Sequence, residues 1–328
     1  MKATIARAGF LSTVQDLGRT SLRQFGVSLG GALDAHALRV ANLLVGNNES
    51  DAALEITFGG LQLRFSDERI VAWGGGEFAV RVGSTHLPAG HSVFIERGEK
   101  LEIDRPKTGC RLWLAISGGI DAPLVLGSRS TDLRANFGGF NGRPFRDGDE
   151  LPLGTNSERA KILIGKLRGE KIARWKPPHE WSSPTRPEPV LRVVRGADWD
   201  RFNDVTIQRF TNQRFTVSPD SDRMGVRFEA PELQRGQAAD LVSEPVAPGT
   251  VQVPPSGQPI LLLGDCQTIG GYPKIAHMIT VDFPAAAQLR AGDRVRFREV
   301  SLADAHRLLI ERERNLEQFR RGLQGHFS

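Results

Sequence analysis

The chain has 328 residues and a net charge of +5, and its 43 basic residues are interspersed among 38 acidic ones. A hydrophobic content of 39% and a charged content of 25% are those of an ordinary globular protein. Such a modest and evenly spread charge does not imply a nucleic-acid partner. The length predicts two domains, and 36 glycines with 19 prolines favour many turns over long helices.

Metal-binding, disulfide and membrane signals are missing from the sequence. Cys110 and Cys266 form no Cys-x-x-Cys pair, and the seven histidines show no HExxH or paired ligand spacing. The N-terminal stretch MKATIARAGF lacks the apolar segment of a signal peptide, and no apolar run approaches the ~20 residues of a membrane helix. We therefore expect a cytoplasmic protein without a metal site or a membrane segment.

Short runs of alternating apolar and polar residues dominate the chain and predict antiparallel strands. In the first half they are LQLRF (61–65), FAVRV (78–82), SVFIE (92–96), KLEID (100–104) and RLWLAI (111–116). In the second half they are LRVVRG (191–196), RFTVS (214–218), GVRFEA (225–230), TVQVP (250–254), PILLL (259–263), HMITVDF (277–283) and RVRFREV (294–300). Their spacing of roughly 10–15 residues is typical of β-barrels or sandwiches.

Two segments have the pattern of amphipathic helices. DAHALRVANLLVG (34–46) begins with Asp34 at the N-cap position and ends at Gly46, where a helix should stop. SLADAHRLLIERERNLEQFRRGL (301–323) opens with Ser301 and Asp304 in capping-box spacing.

The stretch KLRGEKIARWKPPHEWSSPTRPEP (166–189) is charged, rich in proline and aperiodic, as in a linker or a strapped-down crossover. We predict an all-β protein with one domain at 1–185, a second at 186–300 and a helical tail at 301–328. RDGDELPLG (146–154) near the end of the first half echoes RAGDRVRFREV (290–300) in the second, which supports an internal duplication only weakly.

Polar, glycine-rich stretches next to the predicted strands are the candidates for chemistry. GSRST (127–131) offers backbone donors, hydroxyls and a guanidinium that suit an oxyanion or a carboxylate, although an ordinary polar turn has the same composition. SDRMG (221–225) has the pattern of a turn in which the Asp222 side chain forms hydrogen bonds with the local backbone. GDCQTIGGYP (264–273) follows a predicted buried strand, but it lacks the glycine spacing and the lysine of a phosphate-binding Walker loop. Asp34 is either a helix cap or a catalytic acid. The residue types alone define no reaction.

These stretches, in the same order, resemble the biotin-dependent carboxyltransferase family. The resemblance is carried by GFLSTVQDLGRTSLRQFGVSLGGALDAHALRVANLLVGN, ALEITFGGLQLRF, LAISGGIDAPLVLGSRSTDL, SDRMGVRFEA and VQVPPSGQPILLLGDCQTIGGYPKIA, from about residue 3 to 297. The family includes the C subunit of 5-oxoprolinase, the Kip-type (KipA-like) antagonists of a kinase inhibitor and the carboxyltransferase part of urea carboxylase, also known as allophanate hydrolase subunit 2. The chain departs from the family pattern at Gly30, where serine is usual, and at Leu33, where methionine is usual.

The resemblance implies two cyclophilin-like β-barrel domains with a few short helices and a C-terminal helix. It also implies a role as the C subunit of an ATP-dependent 5-oxoprolinase, which opens the lactam of 5-oxoproline to glutamate. The active cleft would be shared with a related KipI-like B subunit, and an A subunit would complete the assembly. The alternatives are a carboxyltransferase component acting on urea or a related amide, and a non-catalytic KipA-type antagonist of a histidine-kinase inhibitor.

The resemblance also indicates the candidate site and the cofactors. The predicted catalytic residues are Gln267, Thr268, Asp222 and Arg223. The predicted substrate-binding residues are Arg129, Ser130, Thr131, Asp34, Gly270, Gly271 and Tyr272. No cofactor is expected to be bound permanently: the complex would use ATP, or carboxybiotin would arrive on a partner protein, because the chain has no Met-Lys-Met biotinylation tripeptide. A thiol mechanism at Cys266 is not expected, because the nearest histidine in the sequence, His277, is eleven positions away.

Overall fold

A computed structural model describes residues 1–182, 186–234 and 241–327. The chain divides into two compact units. The first consists of Met1–Gly18, Gly30–Thr185 and Asn315–Ser328, and the second of Arg19–Leu29 and Arg186–Arg314. A short segment near the N-terminus therefore belongs to the C-terminal unit, and the last helix has residues in both units.

The first unit is built mainly from strands. Its elements are β1 (Lys2–Ala8), β2 (Leu11–Gln15), α1 (Ala35–Leu44), β3 (Ala53–Thr57), β4 (Leu61–Phe65), β5 (Arg69–Val82), β6 (Thr85–Leu87), β7 (Val93–Ile95), β8 (Lys100–Ile116), β9 (Glu150–Pro152), α2 (Glu158–Leu167) and α3 (His179–Ser182). All nine strands belong to one sheet, with the order β2-β3-β8-β4-β1-β9 and with β5 paired to β6, β7 and β8. Its apolar core contains 24 buried hydrophobic residues, among them Phe65, Trp73 and Leu114.

The second unit contains a closed barrel. Its elements are a 3-10 turn (Arg23–Phe25), β10 (Val190–Arg195), a 3-10 turn (Trp199–Arg201), α4 (Asp204–Asn212), β11 (Phe215–Val217), β12 (Gly225–Glu229), β13 (Glu244–Pro245), β14 (Thr250–Gln252), β15 (Ile260–Leu262), β16 (Ile269–Gly270), β17 (Lys274–Met278), a 3-10 turn (Thr280–Asp282), α5 (Phe283–Ala286), β18 (Arg294–Glu299) and α6 (Leu302–Gln324). The barrel has the order β10-β17-β14-β15-β12-β11-β18 and is closed by parallel pairing of β10 with β18. The predicted mainly-β class is confirmed.

Aromatic side chains fill one part of the barrel unit. The Phe210 ring stacks on Phe297 with centroids 4.6 Å apart, and Phe215 and Phe228 meet Phe297 edge to face. All four side chains are at most 1% exposed. On β18 the buried Phe297 lies between the exposed residues at 296 and 298, so the period-two pattern of the sequence corresponds to the inside and outside of the barrel.

Two of the predicted strand boundaries are wrong. KLEID and RLWLAI are the two ends of one 17-residue strand, β8, because the exposed segment between them stays extended and pairs with β5 through register shifts. The strand predicted for HMITVDF ends at Met278, and the chain then forms a 3-10 turn and α5. The turn is held by the Asp282 carboxylate, which accepts hydrogen bonds from the backbone N–H and the guanidinium of Arg192.

The echo between the two halves corresponds to the same turn in both units. In RDGD and in RAGD, the arginine N–H donates to the side chain of the aspartate three positions later, at 2.7 Å for Arg146–Asp149 and 3.0 Å for Arg290–Asp293. The glycines have φ values of +87° and +86°. Each turn also exchanges two backbone hydrogen bonds with one strand residue, which is residue 5 in the first unit and residue 217 in the second. This shared pattern strengthens the case for duplication beyond the sequence motif.

Both predicted helices form, with the predicted N-terminal caps. The Asp34 carboxylate accepts the N–H of Ala37 at 2.8 Å, and Ser301 exchanges hydrogen bonds with the N–H and the carboxylate of Asp304. The helices α2, α3, α4 and α5 were not predicted.

The charged, proline-rich segment 166–189 is a strapped-down crossover where the structure describes it. It contains the end of α2 and all of α3. The N–H of Phe94 in β7 donates to the Lys171 carbonyl, and the N–H of Ala173 donates to the Ser92 carbonyl beside the same strand.

Within the described residues, no helix has both the length and the apolar character needed to cross a membrane.

Candidate functional site

A pocket of about 310 Å³ opens in the second unit, between the turn before β12 and the loop after β15. It is lined by acidic, amide, guanidinium and phenol groups together with apolar side chains. The polar lining residues that concern the chemistry are Asp220, Asp222, Arg227, Gln252, Gln267 and Tyr272. Three of them, Asp222, Gln267 and Tyr272, are predicted site residues, and the fold brings them together from separate sequence motifs.

Asp222 shapes the first wall of this pocket. Its Oδ1 accepts the backbone N–H of Met224 at 2.7 Å and that of Gly225 at 3.3 Å, which is the self-bonded turn expected from SDRMG. The turn leads directly into β12, where Gly225 pairs with Leu262. The side chain of Asp222 therefore holds the turn in place at the same time as it lines the pocket.

Arg223 and Asp265 form a buried ion pair that joins the two loops of the pocket. The guanidinium Nε lies 2.8 Å from Asp265 Oδ2, and Nη2 lies 3.0 Å from Oδ1, which is the two-pronged geometry typical of arginine and carboxylate. Both side chains are less than 10% exposed. The backbone of Asp265 also donates to the Arg223 carbonyl. The predicted catalytic residue Arg223 thus ties the SDRMG turn to the GDCQT loop, and it is not among the residues that line the pocket.

The GDCQT loop is also held by Arg23. The Arg23 guanidinium donates to the backbone carbonyl oxygens of Val246 and Gln267, so it ties the loop to the segment that precedes β14. The Thr268 carbonyl accepts the N–H of Val246 at 3.0 Å. These contacts keep the backbone at Gln267 and Thr268 in place, while Gln267 lines the pocket.

Burial shifts the pKa of two titratable groups in this unit. Burial raises the pKa of the Cys266 thiol, against the opposing effect of the nearby Arg23 guanidinium. Burial lowers the pKa of His277, whose Nδ1 lies 3.3 Å from the hydroxyl of Thr250. A protonated thiol is a poor nucleophile, so a raised pKa does not favour catalysis by Cys266.

Gln252 was not predicted from the sequence. It lies at the end of β14, is 1% exposed, and donates from Nε2 to the carbonyl of Tyr272 at 3.3 Å. The signal in the sequence was an amide inside the strand run TVQVP. An amide that is buried in a barrel wall and reaches a pocket is as strong a candidate for binding as a residue of a glycine-rich loop.

Several predicted substrate-binding residues belong to the first unit, and there GSRST wraps around Asp16. The hydroxyls of Ser128 and Ser130 each donate to Asp16 Oδ1 at 2.6 Å, and the N–H of Arg129 donates to Oδ2 at 2.6 Å. The Thr131 hydroxyl donates to the carbonyl of residue 14. Ser130 and Thr131 are fully buried in this network, so the turn's hydroxyls bond within the protein.

Arg129 and Asp34 have different surroundings in that unit. The Arg129 guanidinium is 32% exposed and lies 3.9 Å from the Asp121 carboxylate, so it is accessible to an anion. Asp34 is 1% exposed and caps α1. Gly30, one of the departures from the family pattern, has a φ of +61°, a backbone conformation that glycine adopts more readily than serine.

No group of three or more histidine, cysteine, aspartate or glutamate side chains in the described part of the chain is arranged to hold a metal ion. The pocket itself offers amide, carboxylate and guanidinium groups. These groups donate and accept hydrogen bonds without a large net charge of one sign, which suits a small polar molecule better than a phosphate.

The chain is a two-unit β protein in which the closed barrel carries a pocket lined by amide, carboxylate and guanidinium groups, and both units contain the same turn. Residues 25–299 match the family model described as carboxyltransferase domain, subdomain A and B. The chain therefore belongs to the carboxyltransferase domain family.

The relatives of this chain include two enzyme subunits and a urea carboxylase. It is 38% identical over 314 residues to the C subunit of 5-oxoprolinase from Escherichia coli, covering 96% of both chains. It is 36% identical over 310 residues to the same subunit from Haemophilus influenzae, covering 94% of this chain and 95% of that one. The crystal structure of the Kluyveromyces lactis urea carboxylase is similar over 97% of this chain, with 27% identity and a TM-score of 0.86, but this chain spans only 29% of that protein.

Proposed function

We propose that this chain is the C subunit of an ATP-dependent 5-oxoprolinase, which opens the lactam ring of 5-oxoproline to give glutamate. The observation that carries the proposal is the identity of 36–38% to two 5-oxoprolinase C subunits over at least 94% of every chain compared. The urea carboxylase relative, in contrast, has most of its length outside the region of similarity. A match over at least 94% of each chain favours the same role in the assembly.

The pocket in the barrel supports this assignment chemically. Attack on a lactam carbonyl makes its oxygen more negative, and preorganised donors stabilise that charge. The Gln267 backbone is held by the Arg23 contact, and the start of its loop is held by the Arg223–Asp265 pair, which would keep such donors in place. Asp222, Tyr272 and the Gly270–Gly271 backbone would complete the surroundings of the substrate.

The remaining parts of the proposal concern the assembly. A related B subunit would share the cleft, and an A subunit would supply the ATP-dependent step. The chain alone would then be inactive and would hold no cofactor permanently. The Arg129 guanidinium of the first unit would be available to an anionic group in this assembly, whereas the Ser130 and Thr131 hydroxyls bond within the protein.

The decisive experiment is reconstitution. The chain is expressed together with the A and B subunits, and glutamate release from 5-oxoproline is measured with and without ATP. We expect release only when ATP and all three proteins are present. The control is the same mixture without this chain. If folded subunits that assemble stably release no glutamate above this control, the proposal is wrong.

A carboxyltransferase acting on urea or a related amide is the second candidate. It is favoured by the family model and by the TM-score of 0.86 to a urea carboxylase. In that case carboxybiotin would be carried on a partner protein. The same purified chain, supplied with a biotin carboxylase and a biotinylated carrier, would then show turnover that depends on carboxybiotin and urea, and no release of glutamate from 5-oxoproline.

A further inference from the structure

Two side-chain amides of the pocket meet at one glycine. A methyl group added at Gly270 would lie 2.9 Å from Gln252 Nε2, 3.6 Å from Gln252 Oε1 and 3.5 Å from Gln267 Nε2. Both amides thus approach within 4 Å of the same point, although Gln252 comes from β14 and Gln267 from the loop after β15. The pocket therefore contains a pair of neutral amides that the sequence separates by fifteen positions.

Gly270 has no conformational reason to be glycine. Its φ is not among the positive values found at 23 other described glycines, so its backbone would accept alanine. The space that it leaves is instead filled by the Gln252 amide, which is buried in the barrel wall. The explanation for a glycine at this position is therefore steric, and it depends on Gln252.

A carboxamide is a neutral side-chain group that offers two N–H donors and a carbonyl acceptor. Gln252 uses one donor on the Tyr272 carbonyl and still lines the pocket, as does Gln267. Two such groups side by side can donate to the oxygen and accept from the N–H of a substrate amide. A charged pair would favour an ion, whereas an amide pair matches an uncharged amide.

We propose that Gln252 and Gln267 form a two-amide clamp for the amide group of the substrate, and that Gly270 is the residue that leaves room for it. The clamp rests on the proposed function, since that function supplies a lactam as substrate. It adds Gln252 as a substrate-recognising residue and Gly270 as a positioning residue that acts through Gln252.

The test uses the complex assembled with its partner subunits. Gln252→Met keeps the length of the side chain and removes its polar atoms, and Gly270→Ala leaves Gln252 present but displaces its amide. Gln258→Ala is the matched control, because the Gln258 side chain bonds the backbone of Ala230 in the same unit and lies outside the pocket lining. We measure KM and kcat for 5-oxoproline and the Tm of each complex.

Loss of a hydrogen-bonded contact to the substrate corresponds to a rise in KM of about tenfold or more. We expect this for Gln252→Met and Gly270→Ala, with Tm within a few degrees of wild type, and a KM like wild type for Gln258→Ala. If Gln252→Met does not fold, Gly270→Ala still tests the clamp. Wild-type KM values for the folded variants would overturn the proposal.

A binding measurement separates this proposal from the proposed function. Calorimetric titration with 2-pyrrolidinone, a lactam without a carboxylate, should give at least tenfold weaker binding to Gln252→Met and Gly270→Ala than to wild type. If wild type binds the lactam in this way but releases no glutamate, the clamp stands and the 5-oxoprolinase assignment fails. If wild type releases glutamate and both variants match it in KM and affinity, the assignment stands and the clamp fails. If wild type does not bind the lactam, the clamp is overturned.

Discussion

The Arg223–Asp265 pair is a buried electrostatic contact at the candidate site. Two charges that are both less than 10% exposed lose most of their hydration, and their mutual attraction repays this only when the geometry is good. Here two hydrogen bonds of 2.8 and 3.0 Å satisfy that condition. The pair therefore stabilises the fold little compared with an apolar substitute, but the loss of one partner leaves a buried charge.

Removal of one partner should accordingly be severe. We expect Asp265→Ala to lower the free energy of unfolding by about 3–5 kcal/mol, because the Arg223 guanidinium remains buried without its carboxylate. The double substitution Arg223→Met with Asp265→Leu should recover a large part of that loss. Urea unfolding followed by circular dichroism measures both. An unchanged urea midpoint for Asp265→Ala would contradict this interpretation.

Gln267 and Thr268 are the residues for which transition-state stabilisation is predicted. Replacement of each by alanine should lower kcat/KM of the assembled enzyme by at least ~10-fold if it donates to the developing oxyanion. The control is Gln258→Ala, which removes a glutamine of the same unit outside the pocket. Turnover equal to wild type at unchanged Tm would make Gln267 and Thr268 ordinary turn residues.

At the scale of secondary structure, the start of α1 is determined by one carboxylate. Asp34 accepts the Ala37 N–H, and the helix then buries eight of its ten residues. The GSRST turn is organised in the same way, since three donors of that turn converge on Asp16. In both places the carboxylate of an acidic residue near a glycine-rich stretch accepts hydrogen bonds that stabilise the local backbone.

The cap at Asp34 can be separated from a role in substrate binding. We expect Asp34→Ala to lower the free energy of unfolding by about 1 kcal/mol, and Asp34→Asn to lose less because asparagine also caps helices well. Denaturant unfolding gives the stability, and kcat/KM of the assembled enzyme gives the function. If Asp34→Asn is stable but at least tenfold less active, Asp34 also contacts the substrate. If its activity is that of wild type, Asp34 is a cap alone.

At the scale of the whole molecule, the stability of the chain should fall in acid partly because of His277. Burial lowers the pKa of this imidazole from its ordinary value of 6.5, so burial favours the neutral form in the folded protein. As the pH falls below about 6.5, the unfolded chain takes up a proton that the folded chain does not, and the free energy of unfolding decreases. Well above pH 6.5 the imidazole is neutral in both states and this effect disappears.

The measurement is the Tm at two pH values, one about a unit above and one about a unit below the ordinary histidine pKa. We expect His277→Gln to lose less Tm between them than wild type, because glutamine does not titrate and still offers a partner for the Thr250 hydroxyl. His86→Gln, at an exposed position of β6, is the control and should follow wild type. An equal loss of Tm in wild type and His277→Gln would exclude His277 as a source of the acid sensitivity.

The two units also share a structural signature that concerns the whole chain. The turns 146–149 and 290–293 have matching φ values, side-chain bonds and backbone bonds to a strand, at equivalent places before β9 and β18. Such agreement in backbone and side-chain contacts is more specific than the Gly-Asp sequence alone, because that dipeptide is common in turns between strands.

Much of this protein follows from local sequence. The alternation of apolar and polar residues determined the mainly-β class, since one face of each strand has to be buried, and short-range hydrogen bonds determined the two caps and the Asp222 turn. The order of long motifs determined the family. The class, the two caps and the turn depend on residues within a few positions of each other, and the family depends on the order of motifs along the sequence.

Only the tertiary structure decided which distant residues meet. Strand pairing joined KLEID and RLWLAI into one strand, closed the barrel through β10 and β18, and paired Arg223 with Asp265 across 42 positions. It also brought Gln252 to Gln267 beside Gly270, whereas the run TVQVP shows an amide within a strand but not which residues that amide reaches. The physical reason is that these contacts depend on barrel closure and strand register, which are set by the packing of the whole unit and not by neighbouring residues.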